Sequence, residues 1–311
     1  MLLRVLKVVV CAVVFVETSV YSAQPSLEKI GGNAKIDWTN LVYVATGEGA
    51  MPPPSEEKNR AKAYLKAKEY AKMAAIANLY MAIEGTTINY EALGRDFMAD
   101  PVIKQRIEGF VRNVNITKTW REQVEGGTVV VVEVRAPMFA DEGPGQVFLG
   151  AAAQSMGAEP DQSDQSKVNV ILKPERISKA ASSALPVSPD TSKMGSYTSL
   201  IIDATGLKLK RCMSPHIRRR DGSEVWGTVR SDPDFVLDKG IVSYATSMAA
   251  AKANPRAGSN PLVVRAIGVA GNKFYSDPVV SDDDARLILE ANRESRFLDN
   301  FNVIFIKDSA L

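Results

Sequence analysis

The stretch SEEKNRAKAYLKAKEYAKMAAIANLYMAI, Ser55 to Ile83, decides the reading of this chain. From Glu56 to Ile83 it holds no Gly or Pro and carries eight alanines. That predicts one long, thin helix of about 42 Å, at about 1.5 Å per residue, able to approach a sheet closely. Ser55 offers a capping oxygen, and Glu56 and Glu57 supply the negative charge that a helix N-terminus favours. Ala61, Leu65 and Ala71 define an apolar face, with Lys58, Lys62, Lys66 and Glu69 on another, as in a helix lying on a core. From Met73 to Ile83 the character changes, because MAAIANLYMAI has no charge and is apolar nearly all round. One sheet face does not cover such a segment, so either other elements wrap it or another protein does. Met73, Ile76, Leu79, Tyr80 and Ile83 are therefore candidate interaction residues.

Outward from the helix, LVYVAT at 41–46 reads as a strand ended by Gly47 and Gly49 and then by Pro52, Pro53 and Pro54. A second helix starts with Asp100 as cap and Pro101 in the first turn, and Gly109 ends it. Two strands follow, about 110–122 and 128–138, joined by a hairpin at Glu125 to Gly127. The apolar VVVVEV suits an inner position in the sheet. The first domain is thus placed at 36–138.

Residues 139–194 are poor in large apolar side chains, with runs such as EPDQSDQSK and ASSALPVSPDTSK, and read as a flexible linker. Only VNVIL, 168–172, is apolar enough for an edge strand. The second domain, 195–308, opens with the strand YTSLIID. Hairpins are signalled at Asp221-Gly222 and Gly271-Asn272, and a short helix within 243–253. A clear helix runs from Asp282 to about Arg296, capped by Ser281, before the strand VIFIK. Strand, helix and strand in that order suggest one crossover. The fold class is α+β in two domains. The first sets the long helix and a short one on a small antiparallel sheet; the second is a mainly antiparallel sheet with one or two helices.

At the start of the chain, Arg4 and Lys7 precede the apolar run Val8 to Val16, which is too short to cross a bilayer. Residues 1–23 read as a signal peptide, cleaved near Ser22 or Ala23, with export to the periplasm or beyond. Removal leaves Cys212 as the one cysteine, so no internal disulfide forms, and no later segment is apolar enough to span a membrane.

Composition excludes several chemistries. With 38 Lys and Arg against 36 Asp and Glu, there is no global field for nucleic acid, and one His with two Cys leaves no His- or Cys-rich metal site. No cofactor motif is present. Ser55-Lys58 and Ser26-Lys29 match a serine-lysine spacing, but Ser55 has a sufficient role as a cap. His216, the sole imidazole, reads as a surface strand residue. Asp277 with Asp282, Asp283 and Asp284 lacks calcium-loop spacing. The densest basic cluster is Lys208, Lys210, Arg211, Arg218, Arg219 and Arg220, a candidate for anionic lipid headgroups or glycan, with alternation turning Arg219 away.

The order of features from Trp38 to Met138 resembles the bacterial lipoprotein-20 family, a module also similar to the amino-terminal domain of flagellar assembly protein T. The resemblance lies in the strand ending at Gly47-Glu48-Gly49, in RAKAYLKAKEYAKMAAIANLYMAI, in DPVIKQRIEGF and in VVVVEVRAPM. It implies an exported, envelope-associated α+β module with a helix pair on a small antiparallel sheet, no established catalysis, and a part in surface or flagellum-related assembly. The chain departs from the lipoprotein pattern in having no acylatable Cys at its mature start. The expected function is non-catalytic binding of other envelope proteins, or self-association. Alternatives are an anionic lipid or glycan binder with peripheral membrane contact, and a hydrolase with an unrecognised site.

Overall fold

A computed structural model describes residues 25–89, 91–141, 143–156, 168–173, 197–227 and 240–308. The leader expected at 1–23 and much of the linker expected at 139–194 lie outside the described residues.

The first sheet has five antiparallel strands: β1 (Leu27–Ile30), β2 (Ala34–Asp37), β3 (Val42–Ala50), β4 (Ile116–Val124) and β5 (Gly127–Pro137), in the order β1-β2-β3-β5-β4. Helix α1 (Arg60–Glu84) lies on it. Its 25 residues span about 37 Å. It starts later than the sequence suggests. Glu56 and Glu57 donate their amides to the Pro53 carbonyl in a turn, and the cap is Asn59, whose side chain accepts from the amides of Ala61 and Lys62. Ser55 is exposed in that turn and caps nothing.

Of the expected apolar face only Ala71 meets the sheet. Ala63, Ala67, Ala71 and Ala75 face the sheet with no exposure, followed by Leu79, Ala82 and Ile83, whereas Ala61 and Leu65 point to solvent. Gly47 and Gly49 do not end the strand. β3 runs through both, pairing them with Val132 and Val130, and a Cβ on either would fall well under 3.0 Å from α1 backbone. Small residues on both elements thus let the helix axis drop onto the strand, and main chain packs on main chain.

A short helix α2 (Gly94–Phe97) leads to α3 (Pro101–Arg112), whose Asp100 side chain accepts from the amides of Val102 and Ile103. Gly109 does not end α3; the helix continues one turn to Asn113. The strand pair β4 and β5 turns at Glu125 and Gly126 as expected, and β5 sits between β3 and β4. Within the stretch read as linker, Pro144–Met156 form helix α4, and β6 (Val170–Leu172) is an edge strand.

The remaining strands form two sheets. One has β7 (Ser199–Asp203), β10 (Ser243–Ala245), β11 (Pro261–Arg265) and β14 (Val303–Ile306), in the order β10-β14-β7-β11. The other adds β8 (Ile217–Arg218), β9 (Glu224–Trp226), β12 (Gly268–Ala270) and β13 (Asp277–Val279) to β6, in the order β6-β12-β13-β8-β9. The α+β class holds. The pairing sense differs from expectation in the four-stranded sheet, where every pair is parallel. The apolar stretch PLVVRAIGVA that leads into Gly271-Asn272 is split at Ala266, giving β11 to one sheet and β12 to the other. Helix α5 (Met248–Ala253) is capped by Ser247, and α6 (Asp282–Ser295) by Ser281, with its three aspartates in the first turn. α6 connects β13 in one sheet to β14 in the other, so the expected crossover joins two sheets instead of closing one.

One buried apolar cluster runs from Ile36, Tyr43 and Leu79 through Met138 and Phe148 to Tyr244, Ile288 and Phe305. Backbone bonds cross the seam: the Met213 and Ser214 amides donate to the Thr87 and Ile88 carbonyls at 3.0 and 2.8 Å. The Trp38 ring meets Tyr244 edge-on at 5.6 Å. The stretches 36–138 and 195–308, each long enough for its own core, bury apolar surface against one another.

Candidate functional site

Because alanines face the sheet along most of α1, four of its large side chains face out. Tyr70 is 65% exposed, Leu65 62%, Met73 60% and Met81 52%, all on the side away from β3. An ordinary surface helix does the reverse, burying its bulk and exposing small or charged groups. At the C-terminal half, α3 runs alongside, and Met73, Ile76, Ala77, Tyr80 and Met81 with Val111 line an open groove of about 540 Å³. Its rim carries Glu108 and Arg112, paired at 3.6 Å. Burial, reinforced by the charges of Glu84 and Glu108, raises the Tyr80 hydroxyl.

The five candidate residues of this helix therefore separate. Met73, Ile76 and Tyr80 line the groove, whereas Leu79 and Ile83 are fully buried beneath it. Leu65, Tyr70 and Met81 complete the surface, over a floor that includes the buried Val111; the sequence pattern set Leu65 on the core side and singled out neither Tyr70 nor Met81. The signal that finds the first three is the four-residue spacing of alanines from Ala63 to Ala75, which marks the sheet side and leaves the opposite side for the bulk.

The basic cluster does not assemble. Lys208, Lys210 and Arg220 are exposed and Arg219 is half-buried, but Arg211 and Arg218 are interior. Arg211 Nε donates to Ser26 Oγ at 2.8 Å, fastening β1's approach to the second half of the chain, so Ser26 also has a structural duty rather than a place in a serine-lysine pair. Arg218 Nε donates to Asp277 Oδ2 at 2.6 Å. The reason is pairing across strands: β8 lies between β9 and β13, so the side chain that alternation turns inward meets the β13 aspartate.

His216 is buried as well, not on the surface. Its amide donates to Asp277 Oδ1 at 3.0 Å, Nδ1 lies 3.5 Å from Asp277 Oδ2, and Nε2 lies 3.5 Å from Glu224. Asp277, fully buried, is the hub of this cluster. Burial alone would raise its carboxyl, but His216 and Arg218 outweigh burial and hold it below the usual carboxylate range. Cys212 is a buried free thiol, raised by burial and so disfavoured as a thiolate. Among the described residues, no group of three or more His, Cys, Asp or Glu converges to hold a metal ion. No helix among them is long and apolar enough to cross a membrane.

Lys307 carries a testable electrostatic signature. Burial, together with Arg211 and Lys210, lowers its ammonium to about 8. Between about pH 8 and about 10.4 the unfolded chain then holds more proton than the folded one, so this group's cost is present below pH 8 and is relieved as pH rises through that window. Lys307→Met is expected to be more stable than the natural protein at neutral pH, with the difference shrinking toward pH 10. Urea unfolding of both proteins across that range checks it. Using the difference cancels the alkaline loss common to both from Tyr43, Tyr244 and Cys212, which burial raises.

Comparison with known proteins gives a partial likeness. Residues 199–309 match the family model described as the second domain of Treponema pallidum Tp0624. No curated protein matches the chain.

Proposed function

We propose that this chain is an exported, non-catalytic envelope protein that acts by binding another protein chain, with the outer face of α1 and its groove beside α3 as the docking surface. One observation carries the reading: a helix with alanines against its sheet and Leu65, Tyr70, Met73 and Met81 in solvent. Exposed apolar side chains of this size gathered on one helix face are costly to leave wet, and such faces mark association surfaces. The groove beside them suits helix-in-groove recognition, in which side chains one turn apart serve as anchors. The likeness of 38–138 to envelope and flagellum-related modules, carried by order and spacing, supports the same reading, as does the leader-like start of the chain. The basic cluster carries no second reading, because Arg211 and Arg218 are consumed inside the fold.

The test is site-specific photo-crosslinking in intact cells. A photoreactive residue at Met73 or Met81 is expected to give discrete protein adducts, and one at the exposed Gln123 on β4 is expected to give none. Met73→Asp with Met81→Asp is expected to abolish the adducts formed through a probe at Tyr70. Because both methionines are more than half exposed, the change in unfolding free energy should stay within about 0.5 kcal/mol per site. Equal labelling at Met73 and Gln123 would overturn the proposal.

A further inference from the structure

We infer that the chain docked on this face is a second copy of the same protein, its α1 laid antiparallel across the first with a two-fold axis through Met73. This inference rests on the docking reading above and names its partner. The outer face of α1 is self-complementary about that point. At about 100° per residue, positions three, four, seven, eight and eleven away from Met73 on either side fall on the same outward half of the helix. In an antiparallel pair each meets its counterpart at equal distance from the axis. Leu65 then lies against Met81 of the second copy, Tyr70 against Ile76, Glu69 against Ala77, and Lys66 against Tyr80. At the ends, Lys62 lies against Glu84.

The charges favour this direction over the parallel one. The first half of the outer face carries Lys62 and Lys66, 63% and 48% exposed at their side chains. The second half ends in Glu84, and Glu108 of α3, with its partner Arg112, lines the groove beside Tyr80. Glu57 already approaches both lysines at 3.6 and 3.1 Å, and Arg112 approaches Glu108, but these are surface pairs that leave the lysines donors to share. Glu69 stands between the two ends and faces only Ala77 of the second copy. An antiparallel pair sets basic end on acidic end twice. A parallel pair would set like on like. The groove beside α3 is filled by Leu65 and Tyr70 of the second copy, so each protomer supplies both the ridge and the furrow.

Sedimentation equilibrium of the signal-free chain over a concentration series tests this. A monomer–dimer equilibrium is expected. Lys62→Glu and Glu84→Lys are each expected to weaken it by roughly tenfold, and the double variant to restore it to within about threefold, a recovery that damage to the fold would not give. As a second measurement, Met73→Cys is expected to form a disulfide-linked dimer under mild oxidation, with the buried Cys212 unreactive. A monomer at all concentrations, or a double variant no better than the singles, overturns the inference. If the chain is monomeric while photo-crosslinks at Met73 recover a different protein, self-pairing falls and the docking reading stands. If Met73 crosslinks to nothing, both fall.

Discussion

Gly47→Ala and Gly49→Ala are each expected to cost about 3 kcal/mol or more, and together to leave the first sheet without its helix. A methyl group at Gly47 would enter the space of the Ala71 carbonyl oxygen and the Ala75 amide nitrogen; at Gly49 it would enter that of the Ala67 carbonyl oxygen. These are backbone atoms, which do not rotate away as a side-chain tip does. The helix must lift off the strand over at least two turns, opening gaps beside Ala63, Ala67 and Ala71. Overpacking of a well-filled core ordinarily costs about 1–3 kcal/mol, and contact with main chain puts these sites at the upper end. Gly109→Ala is the control. It lies in α3 with open space where the Cβ would go, and helix propensity alone should stabilise the protein by about 0.5–1 kcal/mol. Chemical denaturation followed by far-ultraviolet circular dichroism measures all three. A neutral Gly47→Ala would mean that α1 does not rest on β3 as described.

Asp277→Ala is expected to destabilise by about 3–5 kcal/mol, because it strands the Arg218 guanidinium in the interior and removes the acceptor for the His216 amide. Arg218 is 4% exposed and cannot reach water without opening β8. Replacing both partners, as in Arg218→Met with Asp277→Leu, should recover a good part of the loss, since the penalty belongs to the unmatched charge more than to the pair. The sign of the pH dependence follows from the lowered carboxyl. Its contribution is fully present above about pH 4, the unfolded value, and is lost as pH falls through the folded value below that. Asp277→Asn should therefore lose stability relative to the natural protein at pH 7 and differ least from it in strong acid. Urea unfolding at several pH values reads both effects.

Much of the first sheet and its helices was legible in the chain. Asp100-Pro101, Ser281 and the glycine-bearing turns at 125–127 and 221–222 act through atoms within a few residues of themselves, so local chemistry suffices to place them. The thinness of α1 was legible for the same reason. Its start was not, because Ser55 and Asn59 are both good caps and the turn over Pro53 decides between them. The glycines at 47 and 49 read as strand ends, since glycine ends strands more often than it seats a helix, and only α1 lying across β3 reveals the second use.

The candidate surface divided along the same line. An uncharged segment at 73–83 announces that something covers it, but which of Met73, Ile76, Leu79, Tyr80 and Ile83 meets the sheet depends on the rotation of the helix about its axis. Here that rotation follows the alanine stripe and turns the bulk outward. His216, Arg218 and Asp277 lay up to some sixty positions apart in the chain and acquired meaning only when β8 and β13 paired. The sequence by itself determined the body of α1, the caps at Asp100 and Ser281, the tight turns at 125–127 and 221–222 and the near-neutral charge, because each is settled by neighbours along the chain. Only the tertiary structure decided which side of α1 is wet, which arginines are interior and that one core serves both halves, because burial is a property of elements brought together and not of any one of them.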